Sequence, residues 1–294
     1  MATGSQTLRI SPMEGSFGAT VSGLDASRPL DEATTRVLID GLFEHRILLV
    51  PGQRLSEREY LRFGRLWGRP LLFFRPEGRH GDLPELIKIR NSPATPPQLR
   101  DGAMHWHSDS SYEAEPASVT MLYALEAPAS GSETLFADLV AAYDALPEET
   151  KARIGSLRVI HDPRGGKVNL PGENRGKSSD TGLPVVTHPL VSRHPVVGRR
   201  ALFGISGTAC GVVGWDEQAG IDLLIELKKH ALQPQFRQQA RAAAESILIW
   251  DNCSVMHSAT PAEYSNEDGK RRLLYRISTR GLPPLYGGCA GQGS

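Results

Sequence analysis

Met104-His105-Trp106-His107-Ser108-Asp109-Ser110-Ser111-Tyr112 is the stretch from which the rest of this chain is read. It brings two imidazoles and a carboxylate into the five residues from His105 to Asp109. Side chains of a β-strand alternate between its faces, so a strand here puts His107 and Asp109 on one side. His105 joins them if the strand is already regular at that point. A His-x-Asp pair offers a divalent metal one neutral nitrogen and one anionic oxygen. A third ligand has to come from elsewhere in the chain.

Working outward, the residues downstream read as short strands. Strand-like runs occur at 118–125, 132–136, 157–160, 184–190, 201–206, 246–250 and 272–279. Asp138 is an N-cap for a helix over 139–146, Pro147 opens a second helix to about 154, and 216–232 has the apolar spacing of a third. Upstream, helices are predicted over 31–44 and from Ser56 to 66, the latter opened by the Ser56…Glu59 capping-box pattern. The apolar run at 47–50 reads as a buried strand and 8–24 as one or two small ones. Many short strands with few helices among them predict an antiparallel double sheet: a mainly β, α+β fold with a jelly-roll core and helices packed outside it. The chain is read as one catalytic domain over 1–294, helix-rich in about 1–95. The glycine-rich, polar stretch at 162–183 is too long for an ordinary connection and reads as a lid loop.

The 294 residues are 39% hydrophobic and 22% charged, which suits a globular protein with a sizeable core. With 33 basic and 33 acidic residues there is no broad electrostatic footprint for nucleic acid. The expected partner is a small molecule. No apolar run approaches the roughly 20 residues of a membrane span, and the first residues do not form a signal peptide. Cys210, Cys253 and Cys289 are widely spaced and make neither a disulfide framework nor a C-x-x-C site, so a reduced cytoplasm is the simplest setting.

The third ligand is found past the 246–250 strand. Asp251-Asn252 is a turn signal, and His257 follows it where a jelly roll exposes residues at its open end. His107, Asp109 and His257 make a 2-His-1-carboxylate set, which covers one face of an octahedral iron and leaves the other open to an organic ligand and dioxygen. Two other readings stay open from the residues alone. One is a zinc hydrolase using His105, His107 and His257; the other is a non-catalytic small-molecule binder on the same jelly roll. Of the other histidines, His161, His188, His194 and His230 read as surface or structural.

Taken in order, several pieces resemble the Fe(II)/2-oxoglutarate dioxygenases of the taurine and phenoxyacetate dioxygenase family. They are Gly18-Ala-Thr-Val-Ser-Gly-Leu-Asp25, Trp106 to Ser111, Gly131-Ser-Glu-Thr134-Leu-Phe-Ala-Asp138, Ala141 to Pro147, Trp250-Asp-Asn252, His257 and Arg271-Arg272-x-x-x-Arg276. The resemblance implies Fe(II) on His107, Asp109 and His257, with dioxygen and 2-oxoglutarate as co-substrates. It implies that Thr134 and Arg272 hold the far carboxylate of 2-oxoglutarate, as a guanidinium fork and a hydroxyl can. Arg276 lies on the same strand face as Arg272 and is expected beside co-substrate or substrate. His105, Phe73 and Phe74 are candidate substrate contacts. The implied reaction oxidises a C–H bond of a small carboxylate-bearing molecule, by hydroxylation, desaturation or ring closure. It releases succinate and CO2, in natural-product tailoring or catabolism, and the family often forms dimers or tetramers. Two departures stand out: Cys253 follows Trp-Asp-Asn where the family often has Arg, and Ser265 to Gly269 lengthens the interval before Arg272.

Overall fold

The computed structural model describes residues 7–73, 76–95, 103–128, 131–171, 173, 182–261 and 263–287. Alternation along the Val119–Glu126 strand sets the layers. Val119, Met121 and Tyr123 project into one apolar cluster with Ile247, Ile249, Tyr275 and Ile277, while Leu122 and Ala124 project into another with Leu248, Trp250 and Leu274. Apolar residues on both faces mark a sheet covered on both sides.

That major sheet runs in the order Arg9–Pro12, Ala19–Ser22, Ile47–Val50, Ser246–Asp251, Val119–Glu126, Leu273–Arg280, Arg69–Pro70, with Ile87–Arg90 also paired to Leu273–Arg280. Ala19–Ser22 and Ile47–Val50 are parallel, which requires a crossover. The helix Glu32–His45 supplies it. This helix and Glu57–Gly64 cover the outer face through Leu38, Leu42, Tyr60 and Phe63. On the inner face lies a second sheet in the order Arg237–Ala240, Thr134–Asp138, Val255–Ala259, whose Phe136, Ala240 and Val255 complete the inner cluster. The outer face of the second sheet, with Ala137 and Met256, packs on the helices Leu139–Asp144 and Glu217–Ala231 and on a third sheet, Ala209–Val212, Arg158–His161, Val186–Pro189. The two facing sheets make the jelly-roll sandwich, helices outside, as the strand count predicts.

The caps are where the sequence puts them. Asp31, Asp138 and Asp216 each accept backbone N–H bonds at a helix start, and Ser56 with Glu59 forms the full capping box. Three expectations need correction. The first ninety-five residues carry two α-helices but also give five strands to the major sheet, so they are part of the sandwich as well as its cover. The 104–112 stretch is not a regular strand: only His107 pairs, and the chain turns at Asp109 with Ser110 left-handed at φ 54°. The predicted lid at 162–183 begins as packed chain. Lys167 donates its backbone N–H to Ala209, and Val168 is fully buried. Residues 172 and 174–181 of that stretch lie outside the described residues. Among the described residues no helix is long and apolar enough to cross a membrane.

Candidate active site

His107 and His257 are joined through their backbones. The N–H of His107 donates to the carbonyl of His257 at 2.9 Å, and the N–H of His257 donates to the carbonyl of His107 at 2.8 Å. Directly opposed residues of an antiparallel pair point to the same face. The two imidazoles therefore lie side by side, ring centroids 4.3 Å apart, at the edge of the second sheet. The turn after His107 brings Asp109 back against both rings, Oδ1 at 3.6 Å from His107 Nε2 and Oδ2 at 3.7 Å from His257 Nε2. The ligating atoms of all three lie within 4.8 Å of one another.

The protons are placed by what each atom touches. His107 Nδ1 lies 2.8 Å from the carbonyl oxygen of His105, which can only accept, so Nδ1 carries a proton and Nε2 is the nitrogen that can offer a lone pair. This is the arrangement a ligating imidazole requires. Burial, together with the neighbouring His107 and Arg276, pushes His257 down to about 3, so it is neutral. Its contact with Asp109 is then between two groups of a donor set and not an ion pair. Burial works to raise the Asp109 carboxyl, but the Arg276 guanidinium is the largest influence opposing it, and the carboxyl is held well below the usual range. Two imidazole nitrogens and a carboxylate ionised down to low pH suit a divalent cation of the iron or manganese type.

Asp109 is held on every side. Arg276 donates to Oδ1 at 2.7 Å, Thr120 Oγ1 donates to Oδ2 at 2.7 Å, and the Asp109 N–H donates to Asn252 Oδ1 at 3.3 Å. Arg276 also donates to Ser278 Oγ. It faces inward, as strand alternation predicts, with Nε and one terminal nitrogen engaged by Ser278 and Asp109. Thr120, Asn252 and Ser278 were not legible as site residues. Thr120 reads as a β-branched strand former and Ser278 as a strand hydroxyl. Only the Trp250-Asp251-Asn252 pattern carried a signal, without a role attached.

Thr134 and Arg272 lie deeper in the sandwich. Thr134 shares its strand face with Phe136, and Arg272 stands two residues before Leu274. Alternation aims Thr134 into the layer that holds Phe136, and Arg272 stands just before the Leu273–Arg280 strand. Both are buried, Thr134 at 4% exposure and Arg272 at 8%. The Arg272 Nε has no hydrogen-bond partner among the described residues, and burial pushes its guanidinium down to about 10. A buried cation in this state awaits an anion.

His105 is half-buried, its ring 4.8 Å from that of His107, and it serves the site through its carbonyl. The close-packed donor group is His107, Asp109 and His257, which weighs against the His105, His107, His257 zinc set. Phe73 is half-buried just after the Arg69–Pro70 strand, its carbonyl accepting from Arg79 Nε at 2.6 Å. Phe74 lies outside the described residues. His161, His188 and His194 are buried structural histidines, not surface ones.

A second group, His194, Asp251 and Cys253, has metal-like spacing. Its chemistry is different. His194 Nδ1 accepts backbone N–H bonds from Val196 and Val197 at 3.1 and 3.2 Å, so the proton is on Nε2, which faces Asp251 Oδ2 at 3.3 Å. With no lone pair left to offer, His194 is a brace for the Asp251 turn.

The family model described as "Taurine catabolism dioxygenase TauD, TfdA family" matches residues 9–278. The chain is 30% identical over 287 residues to an (S)-phenoxypropionate/alpha-ketoglutarate-dioxygenase of Sphingobium herbicidovorans, covering 93% of this chain and 95% of that one. The fold matches a putative alpha-ketoglutarate-dependent taurine dioxygenase from Burkholderia xenovorans with a TM-score of 0.78 at 25% identity, over 94% of this chain and 93% of that one. It also matches AAD-2, solved in complex with Mn(II) and N-oxalylglycine, with a TM-score of 0.75 at 28% identity over 95% of this chain and 100% of that one.

Proposed function

The chain belongs to the TauD, TfdA family, and from that premise we propose that His107, Asp109 and His257 hold a ferrous ion while Arg272 and Thr134 anchor 2-oxoglutarate. The activity is that of a 2-oxoglutarate-dependent dioxygenase, which uses 2-oxoglutarate and dioxygen to oxidise a small molecule. The residues fit the absent groups. Two imidazole nitrogens and a low-pKa carboxylate are a facial donor set, and the buried Nε of Arg272, without a partner among the described residues, is the single observation that most favours an anionic co-substrate. When bound, the ferrous ion supplies dioxygen activation, coupled to oxidative decarboxylation of 2-oxoglutarate to succinate and CO2 and to oxidation of a substrate C–H bond.

The protein's own part is position, charge and exclusion of water. The His107–His257 backbone bridge fixes two ligands before any metal arrives. Arg276 and Thr120 keep the Asp109 carboxylate ionised and oriented. Arg272 neutralises the far carboxylate of 2-oxoglutarate in a buried layer, where a guanidinium can donate two parallel bonds and the Thr134 hydroxyl one more. The substrate we favour is a small carboxylate-bearing molecule, a reading supported by the similarity to the phenoxypropionate enzyme along nearly the whole chain.

Asp109→Ala is expected to abolish succinate release in the presence of Fe(II), 2-oxoglutarate and a screened library of organic acids. Full activity in that variant would overturn the ligand set. Arg272→Ala is expected to weaken 2-oxoglutarate by about 2–5 kcal/mol, the cost of leaving one member of a buried charge pair alone. Titration of 2-oxoglutarate into the metal-loaded protein reads it, and an unchanged affinity would assign the anchor elsewhere.

A further inference from the structure

We propose that Thr120 is a positioning residue for the metal centre: its hydroxyl fixes the second oxygen of Asp109 and makes the site specific for an ionised carboxylate at that position. This rests on His107, Asp109 and His257 being the metal ligands. Thr120 is fully buried in the Val119–Glu126 strand, in the opposite sheet from the two histidines. Its single hydroxyl meets three groups: Asp109 Oδ2 at 2.7 Å, Asn252 Nδ2 at 2.9 Å and Ser278 Oγ at 2.9 Å.

The direction of every bond in this network follows from groups that can only donate. Trp250 Nε1 reaches Asn252 Oδ1 at 3.2 Å, and the Asp109 amide reaches the same oxygen. Both are donors only, so the Asn252 side chain has its oxygen toward them and its amide nitrogen toward Thr120. Asn252 therefore donates to Thr120. On the other side the Arg276 Nε and a terminal guanidinium nitrogen both donate to Ser278 Oγ, at 3.2 and 3.1 Å. The Ser278 proton is then free to point at Thr120. With two donors arriving, the one proton Thr120 owns goes to Asp109.

The chain of constraint runs from an indole, an amide and a guanidinium through Asn252, Ser278 and Thr120 to one carboxylate oxygen. The other oxygen is held by Arg276. A carboxylate has about four acceptor positions over its two oxygens. Two are used by Thr120 and Arg276, and the rest remain toward the imidazoles, where the metal would lie. A protonated acid or an amide at 109 would set a hydrogen against one of these two donors.

The test uses the full-length protein and Mn(II) alone as the probe, with binding read from the electron paramagnetic resonance of free Mn(II) and folding from thermal unfolding of the metal-free protein. Thr120→Val removes the proton while keeping the shape. It is expected to weaken Mn(II) binding about 10–100-fold, the usual effect of losing a group that orients a ligand. Thr120→Ser is expected to restore binding to near the wild-type level. Asp109→Ala is expected to lose it. Should Thr120→Val fail to fold, Thr120→Ala removes the hydroxyl without aiming a methyl at Asp109 and carries the same expectation. Wild-type Mn(II) affinity in a folded hydroxyl-free variant, with binding lost in Asp109→Ala, would overturn the role of Thr120 alone. Wild-type affinity in Asp109→Ala would instead overturn the ligand assignment beneath it.

Discussion

What one ring nitrogen meets separates His107 from His194. At His107 that nitrogen faces a carbonyl, and a lone pair is left over for a metal; at His194 it faces two amide donors, and none is left. Sequence spacing marks the first of these and cannot separate it from the second, because tautomers are set by backbone atoms that no motif displays. His107, Asp109 and His257 were legible because they carry metal-binding chemistry in a fixed order. Thr120 was not, because a threonine in a strand is ordinary and its partners lie far away in the chain. Titration offers a test at this scale. The pKa of His257, about 3 in the fold, lies near 6.5 in an unfolded chain, so between these values the unfolded state binds one more proton. Stability of the metal-free protein should therefore rise with pH in that window. Above about pH 4, where a free aspartate is already ionised, the share due to His257 is about 1.4 kcal/mol per pH unit. Denaturant melts from pH 4 to 6.5 should show His257→Gln with a slope smaller by about one proton; an unchanged slope would mean that the imidazole is not buried neutral.

Elements with a capping signal or a continuous apolar run are legible in the sequence, and short polar strands are not. The helices Glu32–His45, Glu57–Gly64 and Glu217–Ala231 begin within a residue or two of where Asp31, Ser56 and Asp216 announce them. The strand Ile47–Val50 is apolar throughout, and the structure has the same limits. By contrast Ala209–Val212, Arg237–Ala240 and Val255–Ala259 carry glycine, glutamine, serine or histidine, residues with little strand preference, and gain their strand geometry from neighbours. The 104–112 stretch fails as a strand for a related reason: one bridge residue suffices to fix His107, and the left-handed Ser110 is what returns Asp109 to it. The capping box of the Glu57–Gly64 helix gives a direct measure of element stability. Ser56→Ala removes the acceptor for the Glu59 N–H and is expected to cost about 1 kcal/mol, read as a shift of the denaturation midpoint at constant slope. A change in slope would show that more than the cap had been altered.

At the scale of the whole molecule, the sandwich is what makes the site. The two histidines belong to the edge of the second sheet, while Thr120, Arg276 and Ser278 belong to the major sheet and Arg272 directly precedes one of its strands. A bound metal and 2-oxoglutarate would tie one sheet to the other. Mn(II) with 2-oxoglutarate, each at about 100 times its dissociation constant, should stabilise the fold by at least about 2.7 kcal/mol, seen as a rise of several degrees in the unfolding midpoint. The rise should vanish in Asp109→Ala, and a variant that keeps it would place the ions elsewhere. The jelly-roll class was legible from the many short strands, but not the partners of each strand. Pairing across more than a hundred residues leaves no local trace, as when Ser246–Asp251 inserts between Ile47–Val50 and Val119–Glu126. The bridge between His107 and His257 carries this into the life of the chain. At roughly 5–20 residues per second of synthesis, the second histidine leaves the ribosome about 8–30 seconds after the first. Until then His107 and Asp109 have no partner ligand, and the central gap in the major sheet is unfilled. The three-residue donor group is thus a late product of translation, and a nascent or truncated chain ending before the Ser246–Asp251 strand lacks His257 and cannot complete it.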